Sequence, residues 1–595
     1  MQNNYNSIKW LIDKKFFGIF IFILFCFLPF LSIYYYGDDA LSRDVHAFLR
    51  VDNINIFEYI VKQYLYYAGE NGRFFPLHII QRFLVFYFFD NVYLYRFFVI
   101  LMNLLGLSIF TYMTFLFSKS KSLSFAILLF FPGILMFFTR YDDALTSYFM
   151  FMQLLFIYLS LSLIFLKKYL DSNQKKYVLL SLLFYLFSLL TYEAAYTLFL
   201  IYPLVIYFHY LEINLKDRIT NTLQVSCYYF ILVSVCFIIY FYYARNAATE
   251  YLGTNINFDL YLIIITFLKQ IIAAFPLVPH AYLIFDLQGN IIFNLQNFIS
   301  NITILDLITN FMFLFYIVIF LRDFDHKFDT KYNRKFFTYL SIILIVCPSL
   351  IIALTSKYQR ELIWGLGYLP IYISRFGLLI LGYIFIDYLL KTIKNKQILK
   401  MFKITIVIIC LVINIFSLQG NRNVLEHKNK LSEGREIAEL AISDGALKDI
   451  ENNCVVILGN IWWNYHPTNR NIVFYGLTDK RIHTFTMEEY IETQEYISKY
   501  YDEIVFFSYL NHGPNTGYAI SGQVKDDLFD KEKLGCFYVS NVKIYSYGDN
   551  YKQVKINILG DNGLHEQTFQ LSLKDKAKLV EIPYIVDINS LRFLH

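Results

Sequence analysis

The stretch Tyr34-Tyr35-Tyr36-Gly37-Asp38-Asp39-Ala40 sets two adjacent carboxylates directly after an apolar, aromatic run. A carboxylate at such a boundary can act as a general base toward a hydroxyl, because partial burial lifts its pKa toward the working range while water still reaches it. Adjacent Asp residues are not specific by themselves, and a solvated helix cap would read the same way. Further along, Glu70-Asn71-Gly72-Arg73-Phe74-Phe75-Pro76-Leu77-His78 is a polar turn entering an apolar helix. Arg73 can pair there with Asp38 or Asp39, hold a phosphate through its planar fork, or reach toward lipid headgroups.

Asp142 and Asp143 follow Arg140, and Glu193 follows Tyr192, each pressed between apolar segments. An acid so placed is costly unless it faces a cavity, a partner or water. With Asp38 and Asp39 these acids could line one cavity. They could also offer oxygen ligands to a divalent cation, although carboxylates alone fix no ligand count. No other cofactor is implied.

A fourth group lies in Ser356-Lys357-Tyr358-Gln359-Arg360-Glu361-Leu362-Ile363-Trp364-Gly365-Leu366-Gly367-Tyr368-Leu369-Pro370. Lys357 and Arg360 suit a lipid-linked phosphate, while Trp364 and Tyr368 can stack on a sugar or anchor a membrane interface. Arg375, one turn into the next apolar run, either meets the same phosphate or pairs with a buried acid. Arg245, at the end of an earlier run, is a candidate of the same kind.

The elements that must hold these residues follow from composition. The chain has 595 residues, 57% hydrophobic, 20% aromatic and 17% charged, which excludes an ordinary soluble enzyme. A net charge of +5 with no basic block gives no footprint for nucleic acid. No Gly-rich phosphate loop, zinc-type His pair, nucleophile elbow or kinase signature occurs, so nucleotide and serine hydrolysis have no residues to rest on.

Apolar windows near the ~20 residues that cross a bilayer fall at about 16–36, 92–117, 122–139, 144–166, 177–192, 194–210, 222–243, 303–321, 336–355, 368–390 and 401–418. They predict about eleven spans, or thirteen if the apolar stretches Phe74 to Phe89 and Leu260 to Phe275 also cross rather than lie at the interface. Lys and Arg cluster at alternate connections: Lys14 and Lys15, Lys119 and Lys121, Lys167 and Lys168, Lys216 and Arg218, Arg334 and Lys335, Lys391 and Lys394. The positive-inside rule makes that face cytoplasmic and sends the acidic and aromatic groups to the outer face.

The expected fold class is therefore an α-helical polytopic membrane protein, N-terminus in and C-terminus out, with a C-terminal extracytoplasmic α/β or α+β domain. The division falls into 1–419, with outer loops 37–91 and 244–302, and 420–595. In the second part a helix at about Ser432 to Ile450 precedes strands such as Cys454 to Leu458, Ile504 to Phe507 and Val554 to Leu559. Five cysteines sit in apolar runs; Cys454 and Cys536 could form a disulfide in an oxidising compartment or stay as buried thiols.

This organisation resembles the GT-C class of integral-membrane glycosyltransferases, and Gly37-Asp38-Asp39 with Asn71-Gly72-Arg73 is similar to the bacterial GtrII-type glucosyltransferases of O-antigen modification. The resemblance covers the first outer loop best and leaves the C-terminal region without a role beyond acceptor binding or a lid. It implies sugar transfer from a polyprenyl-phosphate donor to a glycan or lipid-linked glycan acceptor at the periplasmic face of a bacterial inner membrane, as in lipopolysaccharide modification. An Asp of the first loop, Asp38 or Asp39, is then the base, and outer cations hold the carrier phosphate. A polysaccharide polymerase or ligase would rely chiefly on outer Arg residues instead. A lipid or glycan transporter would keep its ionisable residues near the bilayer midplane, away from the rim where these acids and cations fall.

Overall fold

The computed structural model describes residues 14–138, 143–148, 150–249, 251–283, 294–324, 331–459, 467–501, 503–511, 517–524, 538–547, 552–561, 563–574 and 577–594. Among them, eight helices are long and apolar enough to cross a membrane: Lys15–Ser32, Val92–Ser118, Phe151–Ser172, Leu215–Arg245, Ile304–Arg322, Asn333–Leu354, Ile371–Thr392 and Lys396–Ser443. The chain reads as a multi-pass membrane protein. Length and apolar composition together carry this reading, since in lipid a helix satisfies every backbone hydrogen bond within itself.

Three of the eleven expected windows fold differently. The window 122–139 gives a helix of only 14 residues, Lys121–Ile134, followed by extended backbone to Phe138. That backbone is satisfied from outside: Asn421 accepts a hydrogen bond from the Phe137 N–H (2.8 Å) and donates to the Leu135 carbonyl (2.7 Å), while Ser417 donates to the Gly133 carbonyl (2.6 Å). Windows 177–192 and 194–210 become a 15-residue helix, Lys175–Leu189, then two 3-10 turns and the short helix Ile201–His209. The stretches near Phe74 and Leu260 form helices of 13 and 15 residues, Pro76–Phe88 and Leu260–Ala274.

Two compact units divide the chain, one made of 1–40 and 57–427, the other of 41–56 and 428–595. The polar unit thus takes part of the first loop as well as the C-terminal region, and its boundary lies inside a helix rather than at 420. Helix Lys396–Ser443 runs 48 residues without a break, so the expected separate helix at Ser432 is its continuation. No proline interrupts this stretch, and its Leu, Lys, Arg, Glu and Ala content favours helix on both sides of the composition change.

The polar unit contains one ten-stranded sheet: β1 Cys454–Leu458, β2 Ile482–Thr486, β3 Ile504–Asn511, β4 Gly517–Val524, β5 Tyr538–Ser546, β6 Gln553–Gly560, β7 Gly563–Gln570, β8 Ser572–Lys574, β9 Ala577–Ile582 and β10 Val586–Leu594. Strands β2, β1 and β3 are parallel, with helices Pro467–Thr478 and Met487–Tyr500 in the crossovers; the other pairings are antiparallel. Alternation along β1 places Val455 and Ile457 in a core with Tyr490 and Ile497, and Cys454, Val456 and Leu458 in a core with Ala438 and Ala441. Cys454 is a free, buried thiol in β1, and Cys536 lies outside the described residues.

A buried charge network ties residues 41–56 into this unit. Arg435 holds both carboxylate oxygens of Asp44 (2.7 and 2.9 Å) and reaches Glu439 (2.8 Å), which also pairs with Arg43 (2.9 Å). Ala47 packs where Gly476 has no side chain: a Cβ there would stand 2.4 Å from the Ala47 Cβ.

Candidate functional site

The Asp pair opens the short helix Asp38–Ser42. Gly37 before it has φ of 58°, a conformation that costs glycine little and other residues more. The pair is split by environment. Asp39 is 1% exposed; its Oδ2 accepts hydrogen bonds from the Tyr95 hydroxyl (2.8 Å) and Arg96 (3.1 Å), while its Oδ1 has no partner among the described residues. Arg96 is fully buried and donates also to the carbonyls of Ile33 (3.3 Å), Tyr34 (2.9 Å) and Thr146 (3.2 Å). Asp38 keeps 30% of its side chain exposed; Arg82 donates to its carbonyl (2.9 Å) and stands 3.9 Å from its carboxylate.

Arg73 does not pair with this aspartate couple, as the sequence had allowed. It forms a two-pronged ion pair with Glu193, both contacts 3.2 Å, and lies over the Phe75 ring at 4.5 Å. The bend that brings Glu193 there is the pair of 3-10 turns after Leu189. Arg82 and Arg96 take the role expected of Arg73. Each is a charged residue inside an apolar helix, the signal that had singled out Arg375.

Asp143 organises the turn 143–147. Its Oδ1 accepts from the N–H groups of Leu145 (2.9 Å) and Thr146 (2.8 Å), and its Oδ2 from the Thr146 hydroxyl (2.5 Å). The turn then offers the Thr146 carbonyl to Arg96 and the Ser147 carbonyl to the Asp39 N–H (3.3 Å). Asp143 is thereby a positioning group for the Asp pair. Asp142 and Arg140 lie outside the described residues.

Arg375 is 4% exposed and sits 5.5 Å from the Phe138 ring. Its Nε and one terminal nitrogen have no hydrogen-bond partner among the described residues. One turn further along the same helix, Leu378 and Leu379 line an apolar cavity of about 660 Å³, with Ile134, Phe275 and Phe313 among the other walls. Arg375 itself does not line that cavity, and the cation in its wall is Arg334. Tyr368 is buried, its hydroxyl 3.4 Å from that of Tyr148 and its ring 4.3 Å from Tyr358. Lys357 lies over the rings of Tyr251 and Tyr358. Arg360, Trp364 and Arg245 are exposed at helix and loop ends, outside this packed group.

Among the described residues no three His, Cys, Asp or Glu side chains gather closely enough to hold a metal ion. Asp39 and Asp143 are engaged by Arg96, Tyr95 and main-chain N–H groups, and Glu193 by Arg73, so these three acids do not form one open cation cage.

Burial pushes the Asp39 carboxyl up from 3.8 to about 6, against the opposing pull of Arg96, the Tyr95 hydroxyl and Arg82. The folded chain therefore holds this proton more tightly than an unfolded one between those pH values. The stability it contributes is fully present below 3.8 and is lost as pH rises to about 6. In a pH series of unfolding curves, the stability difference between wild type and Asp39→Asn is expected to shift against wild type across that window. A difference that stays flat would contradict the assignment.

No known family matches the chain, and no curated protein does. Among solved structures, the chain is similar to arabinosyltransferase EmbB from Mycobacterium smegmatis, with a TM-score of 0.31 and 10% identity over 97% of this chain. The chain spans 63% of the length of that protein.

Proposed function

We propose that this protein is a membrane glycosyltransferase of the GT-C type that moves a sugar from a polyprenyl-phosphate donor to an acceptor glycan at the face opposite the lysine-rich rim. One observation carries the reading: an Arg-held aspartate pair, a buried Arg375 with spare donors and an apolar cavity with room for a lipid chain lie in the same helical unit. Carboxylate, cation and greasy slot are what transfer from a lipid phosphate requires.

Asp38 is the base in this scheme, because its carboxylate is reachable whereas that of Asp39 is committed to Arg96 and Tyr95. Asp38 takes the acceptor hydroxyl proton as the oxygen forms its bond to the anomeric carbon. The bond from that carbon to the phosphate oxygen breaks on the opposite side, inverting the centre. The polyprenyl phosphate leaves as an anion held by Arg375, with Lys357 and Arg360 further out. A phosphate leaving group needs no proton, so one carboxylate is enough.

Transfer is measured with membranes containing the protein and a panel of radiolabelled polyprenyl-phosphate sugars. Arg375→Gln is expected to lower transfer about tenfold to a hundredfold, the worth of a charge-assisted hydrogen bond to phosphate. Transfer from no donor, or transfer indifferent to both Asp38 and Arg375, would overturn the reading.

A further inference from the structure

Arg375 has neighbours that are not helical. One is the extended stretch Leu135 to Phe138; the other runs from Phe275 into the 3-10 turn Val278–Leu283. Irregular backbone among membrane helices is costly unless protein groups satisfy it. These two stretches satisfy one another at two points. The Leu277 N–H donates to the Met136 Sδ (3.1 Å), and the His280 ring bonds the Phe137 backbone. The Phe137 N–H is already given to Asn421, so the imidazole donates to the Phe137 carbonyl.

The ring has its place because residue 420 is glycine. A Cβ there would stand 2.1 Å from the His280 Nδ1 and 2.5 and 2.6 Å from two of its ring carbons. Contacts that short force the ring to move, and in a packed interior it would carry its neighbours along. Helix Lys396–Ser443 therefore holds this corner from two positions, with Asn421 on the Phe137 N–H and Gly420 against the imidazole.

The stretch pinned in this way ends in Phe138, whose ring centre lies 5.5 Å from the Arg375 guanidinium carbon. Arg375 is 4% exposed, and its Nε and one terminal nitrogen have no hydrogen-bond partner among the described residues. Donors left so in a buried place cost stability until an acceptor meets them. The aromatic face supports the guanidinium without using any of its N–H groups. His280 is neutral beside it: burial, with the Arg375 charge, pushes its pKa from 6.5 down to about 4. A neutral ring bonded to a carbonyl adds no second cation and takes none of the Arg375 donors.

We infer that His280 is a positioning residue for Arg375: bonded to the Phe137 carbonyl and seated in the gap at Gly420, it sets the Phe138 ring and so aims the unpartnered donors of Arg375 at the phosphate of a lipid carrier. The identity of that anion rests on the glycosyl-transfer reading.

The test gives the purified full-length chain in detergent either undecaprenyl phosphate or uncharged undecaprenol, and native mass spectrometry reads how much of each is retained. Wild type is expected to favour the phosphate, and Arg375→Gln to lose that preference. His280→Leu and Gly420→Ala should each lower retention of the phosphate about threefold to tenfold, the worth of one hydrogen bond, and leave the alcohol unchanged. His280→Gln, whose amide can still donate to the Phe137 carbonyl, should keep most of the preference. Gly420→Ala added to His280→Ala should cost nothing further, since the ring it would strike is gone. If His280→Leu fails to fold, Phe138→Leu, which removes the ring from Arg375 but leaves both backbone bonds, must still erase the preference. Equal retention of the two lipids by wild type, or no effect of Arg375→Gln, would overturn the phosphate role of Arg375 and this inference with it. Sensitivity to Arg375→Gln with indifference to His280→Leu and Gly420→Ala would overturn this inference alone, as would equal loss of both lipids in those two variants.

Discussion

Asp38→Asn is expected to cut sugar transfer by about 10²- to 10⁴-fold, the usual contribution of a general base, with the folded protein recovered in wild-type amount. The two effects separate because Asp38 is used for its accessible carboxylate, while its main-chain carbonyl, which Arg82 grips, survives the substitution. Rate should fall through kcat more than KM, since the proton moves only as the new bond forms. Comparing initial rates at saturating donor with yields from size-exclusion chromatography checks this. An Asp38→Asn protein that transfers at the wild-type rate would remove Asp38 as the base.

Arg96→Met is expected to be the most damaging change to stability, about 3–5 kcal/mol, because it strands the buried Asp39 carboxylate without its counter-ion. It also orphans three carbonyls, those of Ile33, Tyr34 and Thr146, which come from two different stretches of chain. The double variant Asp39→Asn with Arg96→Met should recover part of the loss, since it leaves no uncompensated charge. Denaturation midpoints of wild type, Asp39→Asn, Arg96→Met and the double variant form a double-mutant cycle, and additive effects would mean that the pair is not coupled.

These two residues mark how far the sequence could be read. The Asp pair was visible because two acids follow an apolar run across a single glycine, and Arg375 because a charge interrupts an apolar helix. Arg96 carried the same mark as Arg375, yet nothing local says that its partner lies 57 positions upstream. The Arg73–Glu193 pair spans 120 positions, so the sequence could offer the nearer aspartates only as one of several partners and could not name Glu193. Hydropathy located the long helices. It could not foresee the extended stretch after Ile134, which exists because Asn421, some 280 residues later, supplies the hydrogen bonds that a helix would have made for itself. The strands at Cys454, Ile504 and Val554 were legible from β-branched and aromatic runs bounded by polar residues, whereas the pairing that joins ten strands into one sheet is written only in long-range contacts.

The polar unit is discontinuous, and this bears on how the chain is made. Asp44 and Arg435 are 391 residues apart. At ribosomal rates of about 5–20 residues per second, Asp44 emerges roughly 20 to 80 seconds before its partner. Throughout that interval the helix Val45–Asp52 has neither the ion network nor the groove at Gly476 to dock into, while the helices between are being inserted. The first loop to be synthesised is therefore among the last to be finished, and a ribosome stalled before Arg435 leaves behind a chain whose segment just after the aspartate pair has no partner to anchor it.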